Sequence, residues 1–154
     1  MRELERKLRE GEFGALLYQN PGGYFASQPM KEIYALCQKY NCLVILDVSG
    51  AIGTILWDGV SADVLVGSFG RGKLVNAGTG GFISCAWKEL WGRLRAAKLE
   101  LLKDDTKLQL VLDNLERLPE RIRLLQQERV KVLRDLSRFK VVHPKDYGLG
   151  VVVK

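Results

Sequence analysis

Five side chains in this sequence have the types and spacing to do chemistry: Asn20, Asp47, Ser49, Ser68 and Lys73. Asp47 closes an apolar, β-branched run from Cys42 to Leu46. An ionised carboxylate in that position needs a cation or hydrogen-bond donors. Two readings stand side by side. In one, it caps the Ser49-Gly50 turn that follows. In the other, it is the anionic partner of a protonated ring nitrogen. Lys73 sits in a glycine-flanked loop, where it is either a solvated surface lysine or an amine placed to form a Schiff base. Gly70, Gly72, Gly78, Gly80 and Gly81 weigh toward the second, because glycines let backbone approach a ligand closely. Ser68 can donate to a phosphate oxygen or cap a turn.

These residues need elements to hold them. Apolar runs predict short strands at 15–18, 42–46, 62–66 and 81–85. Helical spacing of Met30, Ile33, Leu36 and Cys37 predicts a helix over 29–40, with Pro29 suited to its first turn. A charged helix is expected at 2–9, closed by Gly11. Helices are also expected over 87–102, 108–115 and 119–139, and short strands at 140–142 and 150–153. Asn20-Pro21-Gly22-Gly23 is a breaker-rich loop. Short apolar strands alternating with a helix predict an α/β fold: a mainly parallel sheet flanked by helices on both faces. Such sheets carry ligands at the carboxyl ends of their strands, and Asn20, Asp47, Ser68 and Lys73 all fall there.

Composition narrows the class. The chain has 154 residues, 47% of them hydrophobic, with a formal net charge of +6. These are globular proportions for one domain. No apolar run reaches the ~18–20 residues of a membrane span. The charged N-terminal segment lacks the apolar stretch of a signal peptide. Three cysteines without a CxxC favour free thiols in a reducing compartment. The single histidine, His143, argues against a His-based metal site or triad. The 119–139 helix is basic through Arg121, Arg123, Arg129, Lys131, Arg134 and Arg138, but interspersed Glu128 and Asp135 read as a solvated helix rather than a nucleic-acid surface.

Ser68-Phe69-Gly70-Arg71-Gly72-Lys73, followed by Gly78-Thr79-Gly80-Gly81-Phe82-Ile83, resembles the cofactor-lysine segment of fold-type I pyridoxal phosphate enzymes. The Ser-Phe-x-x-x-Lys spacing is most similar to the DegT-type aminotransferases. The segment from Val44 through Asp47 to Gly53 is similar to the strand that delivers the family's ring-nitrogen aspartate. Asn20-Pro21-Gly22-Gly23 resembles the Asn-Pro-x-Gly of the wider aminotransferase class. Two departures stand out: Gly50 occupies the position where DegT-type enzymes usually carry Gln, and those enzymes do not normally show the Asn-Pro-x-Gly loop.

The resemblance implies a pyridoxal phosphate-dependent aminotransferase acting on an amino donor and a carbonyl acceptor through a Lys73 Schiff base. It implies that Asp47 keeps the ring nitrogen protonated, Ser49 lies against the ring, Ser68 binds the cofactor phosphate and Asn20 bonds the ring oxygen. Selenocysteine-synthase-like, desulfurase-like and lyase chemistry use the same electron sink, and a truncated, non-catalytic binding module is the alternative of another class. It further implies a homodimer, and the free thiols point to a cytoplasmic location. Against the length of family enzymes, the chain reads as a fragment: part of the large cofactor-binding domain at 1–103, a helical linker at 104–138, and the start of a small C-terminal domain at 139–154.

Overall fold

The computed structural model describes residues 1–96 and 104–154. Helix α1 (Arg2–Glu10) carries Glu3 and Glu5 in its first turn and Lys7 and Arg9 in its last, which suits the helix dipole. Strand β1 (Ala15–Gln19) leads through a 3-10 turn at Gly23–Phe25 into α2 (Met30–Lys39). α2 stops where Asn41 turns left-handed at φ 52, a position Asn tolerates better than most residues. β2 (Leu43–Asp47), β3 (Val64–Ser68) and β4 (Gly81–Cys85) follow. The helices α3 (Lys88–Ala96), α4 (Asp105–Glu116) and α5 (Leu118–Asp135) come next, then β5 (Val141–Val142) and β6 (Val152–Val153). The part of the expected 87–102 helix beyond Ala96 lies outside the described residues.

The first four strands form one sheet in the order β1-β2-β3-β4. β1, β2 and β3 run parallel, with Leu17 opposite Ile45 and Asp47 opposite Val66. β4 pairs antiparallel to β3, placing Gly81 opposite Ser68 and Ile83 opposite Val66. β5 and β6 form a separate antiparallel pair. The sheet is therefore mainly parallel and flanked by helices, but its faces differ. Val44, Leu46 and Leu65 lie in the core with Ile33 and Cys37 of α2. On the opposite face, Leu17 is 66% exposed and Ile83 is 36% exposed, so among the described residues the cover is one-sided.

Two fixings at opposite ends of the sheet matter for the site. At the amino end of β3, Asp63 is 1% exposed. Its carboxylate accepts from Val44 N at 2.7 Å and from the Tyr34 hydroxyl at 3.1 Å. Gln38 Nε2 adds weaker contacts at 3.3 and 3.4 Å. This ties β2, β3 and α2 together. At the carboxyl end, α5 enters the core through Leu118 and Ile122. Pro119 sits in its first turn, where a missing N–H costs nothing. Gly53, at φ +78, lets the helix come close: a Cβ there would lie 2.7 Å from Leu118 Cδ2 and 2.9 Å from Ile122 Cδ1.

Candidate cofactor cleft at the carboxyl edge of the sheet

The carboxyl ends of β1, β2 and β3 meet at one edge, as parallel pairing requires. Asn20 N donates to the Asp47 carbonyl at 3.1 Å, and Val48 N to that of Val66 at 2.9 Å, which carries the ladder past the strand ends. Asp47 Oδ1 accepts from Ser49 N at 2.8 Å. The turn-capping reading of Asp47 is thus realised in one oxygen; Oδ2 has no protein donor among the described residues. Ser49 is buried, and its hydroxyl accepts from Ser68 N at 2.9 Å, crossing from β2 to β3. The Ser68 hydroxyl accepts from Gly70 N at 3.1 Å. Both hydroxyls keep a proton to donate.

Lys73 closes a tight turn in which its N–H donates to the Gly70 carbonyl at 3.2 Å. Gly72 takes the third place of that turn at φ +77, which suits glycine. The loop is held at both ends. Phe69 N donates to Gly80 O and Ala77 N to Phe69 O, each at 2.9 Å. A Cβ on Gly81 would stand 2.3 Å from the Gly67 carbonyl oxygen, so close β3–β4 approach requires glycine there. No atom lies within 4 Å of a Cβ built on Gly72 or Gly78, so the loop backbone borders open space.

Lys73 and Ser49 line a cleft of about 440 Å³ together with Gln19, Tyr24, Leu74 and Arg121. Asp47, Ser68 and Asn20 lie along the same edge but do not line it. Asn20 is 1% exposed, and its amide works within the fold: Nδ2 donates to Leu56 O at 2.6 Å, and Oδ1 accepts from Gln28 N at 3.0 Å. The Asn20–Pro21 peptide is cis.

Sequence reasoning missed the outer wall. Tyr24 and Phe25 both adopt left-handed backbone, at φ 57 and φ 62, a conformation that costs a non-glycine residue roughly 1–2 kcal/mol. Phe25 is held by the C-terminal segment: a Cβ on Gly150 would lie 2.4 Å from its ring. Ser27 N donates to Asp146 Oδ2 at 2.8 Å, and Tyr147 N to Ser27 Oγ at 3.0 Å. Arg129 Nε donates to Gly150 O at 3.2 Å, and Gln126 bonds the Tyr147 hydroxyl. The residues flanking 143–150 carry no local signal for this docking; only the glycines at 148 and 150 hint at a close approach.

The residues present fit pyridoxal phosphate in donor chemistry. Among the described residues, an amine without a carboxylate partner, a strand-end carboxylate with one oxygen open and two hydroxyls with free protons converge on one edge. Among the described residues no helix is long and apolar enough to cross a membrane.

Solved structures share this fold. Helicobacter pylori PseC, an aminotransferase of pseudoaminic acid biosynthesis, is similar at 18% identity and TM-score 0.69, over 84% of this chain and 43% of that one. The aminotransferase TlmJ from Streptoalloteichus hindustanus is similar at 23% identity and TM-score 0.64, over 90% and 43%. Cystathionine gamma synthase from Xanthomonas oryzae pv. oryzae is similar at 18% identity and TM-score 0.74, over 99% and 46%. The chain thus spans less than half the length of these structures, which at such identities establish the fold, that of fold-type I pyridoxal phosphate enzymes. No curated protein matches the chain. The sequence itself matches a family over residues 11–115, a span that holds all four strands of the sheet, the strand-end aspartate and the lysine turn: the chain belongs to the DegT/DnrJ/EryC1/StrS aminotransferase family.

Proposed function

We propose that the chain carries the cofactor lysine of a pyridoxal phosphate-dependent aminotransferase that moves an amino group between a small-molecule amino donor and a carbonyl acceptor. The observation that carries this is Lys73: it lies inside the family match, on a turn that brings it to the cleft, with no carboxylate within ion-pair reach among the described residues. When bound, the cofactor supplies an electron sink for the bonds at the substrate α-carbon. Lys73 is the amine that holds the cofactor and then moves a proton at that carbon. Asp47 would partner the ring nitrogen through its open oxygen, while Ser49 N fixes the other. The Ser68 hydroxyl would donate to the phosphate, and Ser49 would lie against the ring. Asn20, its amide engaged with Leu56 and Gln28, holds the 20–28 loop that would border the ring oxygen.

Residues 1–103 form part of the cofactor domain in this reading, 104–138 the helical linker and 139–154 the start of a small domain. The free cysteines suit a reducing, cytoplasmic compartment. The bare sheet face at Leu17 and Ile83 suits a homodimer.

The test is covalent. Pyridoxal phosphate and borohydride are added to the chain, and the labelled peptide is located by mass spectrometry. One stoichiometric pyridoxyl adduct on Lys73, lost in Lys73→Ala, is expected. Labelling scattered over surface lysines, or unchanged in Lys73→Ala, overturns the assignment.

A further inference from the structure

Helix α2 ends in a closed turn with a cysteine on each side of it. Asn41 is the left-handed residue, at φ 52. Its N–H donates to the Gln38 carbonyl at 3.1 Å, and Cys42 N donates to the Cys37 carbonyl at 3.0 Å. Two nested bonds of this kind form the Schellman end of a helix, which sets the side chains of its two outer residues against each other. Apolar side chains commonly fill those places; here they are Cys37 and Cys42. Both are free and buried, and their thiols meet at the motif.

A disulfide needs its two Cα atoms roughly 4.4–6.8 Å apart. A direct backbone hydrogen bond between the same two residues keeps them within about that span. The junction is also pinned from the side. The Asp63 carboxylate accepts from Val44 N, two residues after Cys42, and from Nε2 of Gln38, the neighbour of Cys37. α2 and β2 therefore already stand as a bond between them would hold them. Cys85 is separate: it is half-buried, and its Sγ donates to the Trp87 carbonyl at 3.4 Å.

We propose that Cys37 and Cys42 are a site of reversible oxidation, closing to an intramolecular disulfide that clips the end of α2 to the start of β2. The oxidant is a low-molecular-weight disulfide such as oxidised glutathione. The thiolate of one cysteine attacks it, releasing one glutathione and leaving a mixed disulfide. The thiolate of the other attacks the protein sulfur of that bond and releases the second glutathione. Two protein thiols give up two electrons and two protons, and both pairs end on the two glutathione thiols. Burial pushes the Cys37 thiol up to about 11, so the closed fold holds little thiolate and exchange waits until the end of α2 opens. The bond is made and broken as the chain unfolds and refolds, and the folded chain keeps the state in which it closed. The clip lies at the amino edge of the sheet, opposite Lys73, and does not depend on the cofactor reading.

The full chain is refolded from urea in mixtures of reduced and oxidised glutathione, quenched in acid and digested with trypsin. Lys39 lies between the two cysteines, so cleavage there separates them and the disulfide is read by mass as two joined peptides. The joined pair is expected, with Cys85 carrying at most a mixed disulfide with glutathione. The bond should be about tenfold more favourable in the folded chain than in urea, and the oxidised chain should melt about 5 °C higher than the reduced one. Cys37→Ala and Cys42→Ala should each lose both the joined peptides and the rise in melting on oxidation. Absence of the joined peptides at equilibrium, glutathione retained on Cys37 or Cys42, or an oxidised chain that melts at or below the reduced one overturns the proposal. The measurements on the parent chain decide it even where an alanine variant fails to fold.

Discussion

Asp63 offers the sharpest quantitative test of the framework under the site. The perturbation is Asp63→Ala. In the folded chain the carboxylate accepts from Val44 N at 2.7 Å, inside the sheet. Removing it orphans a buried backbone donor, at a cost of about 1–3 kcal/mol. The Tyr34 hydroxyl at 3.1 Å loses a charged acceptor, worth roughly 1 kcal/mol once its partial access to water is counted. Gln38 is exposed and its contacts are long, so its loss costs little. Against these stands the relief of burying a carboxylate with only neutral donors. The losses sum to about 2–4 kcal/mol, and the relief brings the balance to a destabilisation of about 2 kcal/mol. Asp63→Asn keeps an oxygen for Val44 N and should cost about 1–2 kcal/mol. Urea unfolding followed by circular dichroism reads both. With a slope of about 1–3 kcal/mol/M, the alanine variant shifts the midpoint by at least ~0.7 M. A cost below about 1 kcal/mol for Asp63→Ala, or equal costs for the two variants, refutes the claim that Val44 N is the partner that matters. Asp63 lies at the opposite end of β3 from the lysine loop, so Lys73 labelling of the folded variant should be unchanged.

Three further outcomes follow from the same geometry. The Tyr18 hydroxyl is buried without a partner among the described residues, so Tyr18→Phe should leave stability unchanged or raise it by about 1 kcal/mol. Burial pushes the Tyr18 phenol up to about 12. Between its ordinary value near 10 and that value, the unfolded chain releases a proton that the folded chain keeps; stability therefore falls as pH rises through this window, and thermal melts of Tyr18→Phe should show a shallower alkaline loss. Gly53→Ala drives a Cβ into Leu118 and Ile122 at a left-handed position, costing about 2–4 kcal/mol in a melt. Cys37, fully buried and with its thiol pushed up to about 11, and buried Cys42 should resist a disulfide reagent that modifies half-buried Cys85, and should react only on unfolding.

The sequence carried the repeating parts of the fold well, because local chemistry sets them. Pro29 and the spacing of Ile33 and Cys37 mark α2, and the apolar runs mark the four strands within a residue or two. Strand direction was another matter. The run at 81–85 reads the same in either sense, and only its pairing with β3 makes it antiparallel. The one-sided cover of the sheet was equally hidden, since Leu17 and Ile83 are as apolar as the core residues beside them. At the site, the short-range relations were legible: Asp47 on Ser49 N and the glycine turn before Lys73. Arg121 was visible only as one of several cations on a basic helix, because its place in the cleft depends on the contact of α5 with Gly53. The left-handed Tyr24 and Phe25 run against local preference, and Phe25 packs against Gly148 and Gly150, far along the chain.

The antiparallel return of β4 also bears on the order in which the chain assembles. Ser68 meets Gly81 across a short loop, whereas Ala15 must find Leu43 across the whole of α2. The entropy of closing a loop grows with its length, and nearby contacts form first. The β3–β4 hairpin that presents Lys73 is thus the sheet's most local pairing, able to close before β1 docks. In a growing chain, the lysine turn would take shape once Cys85 has emerged, ahead of the helix that supplies Arg121.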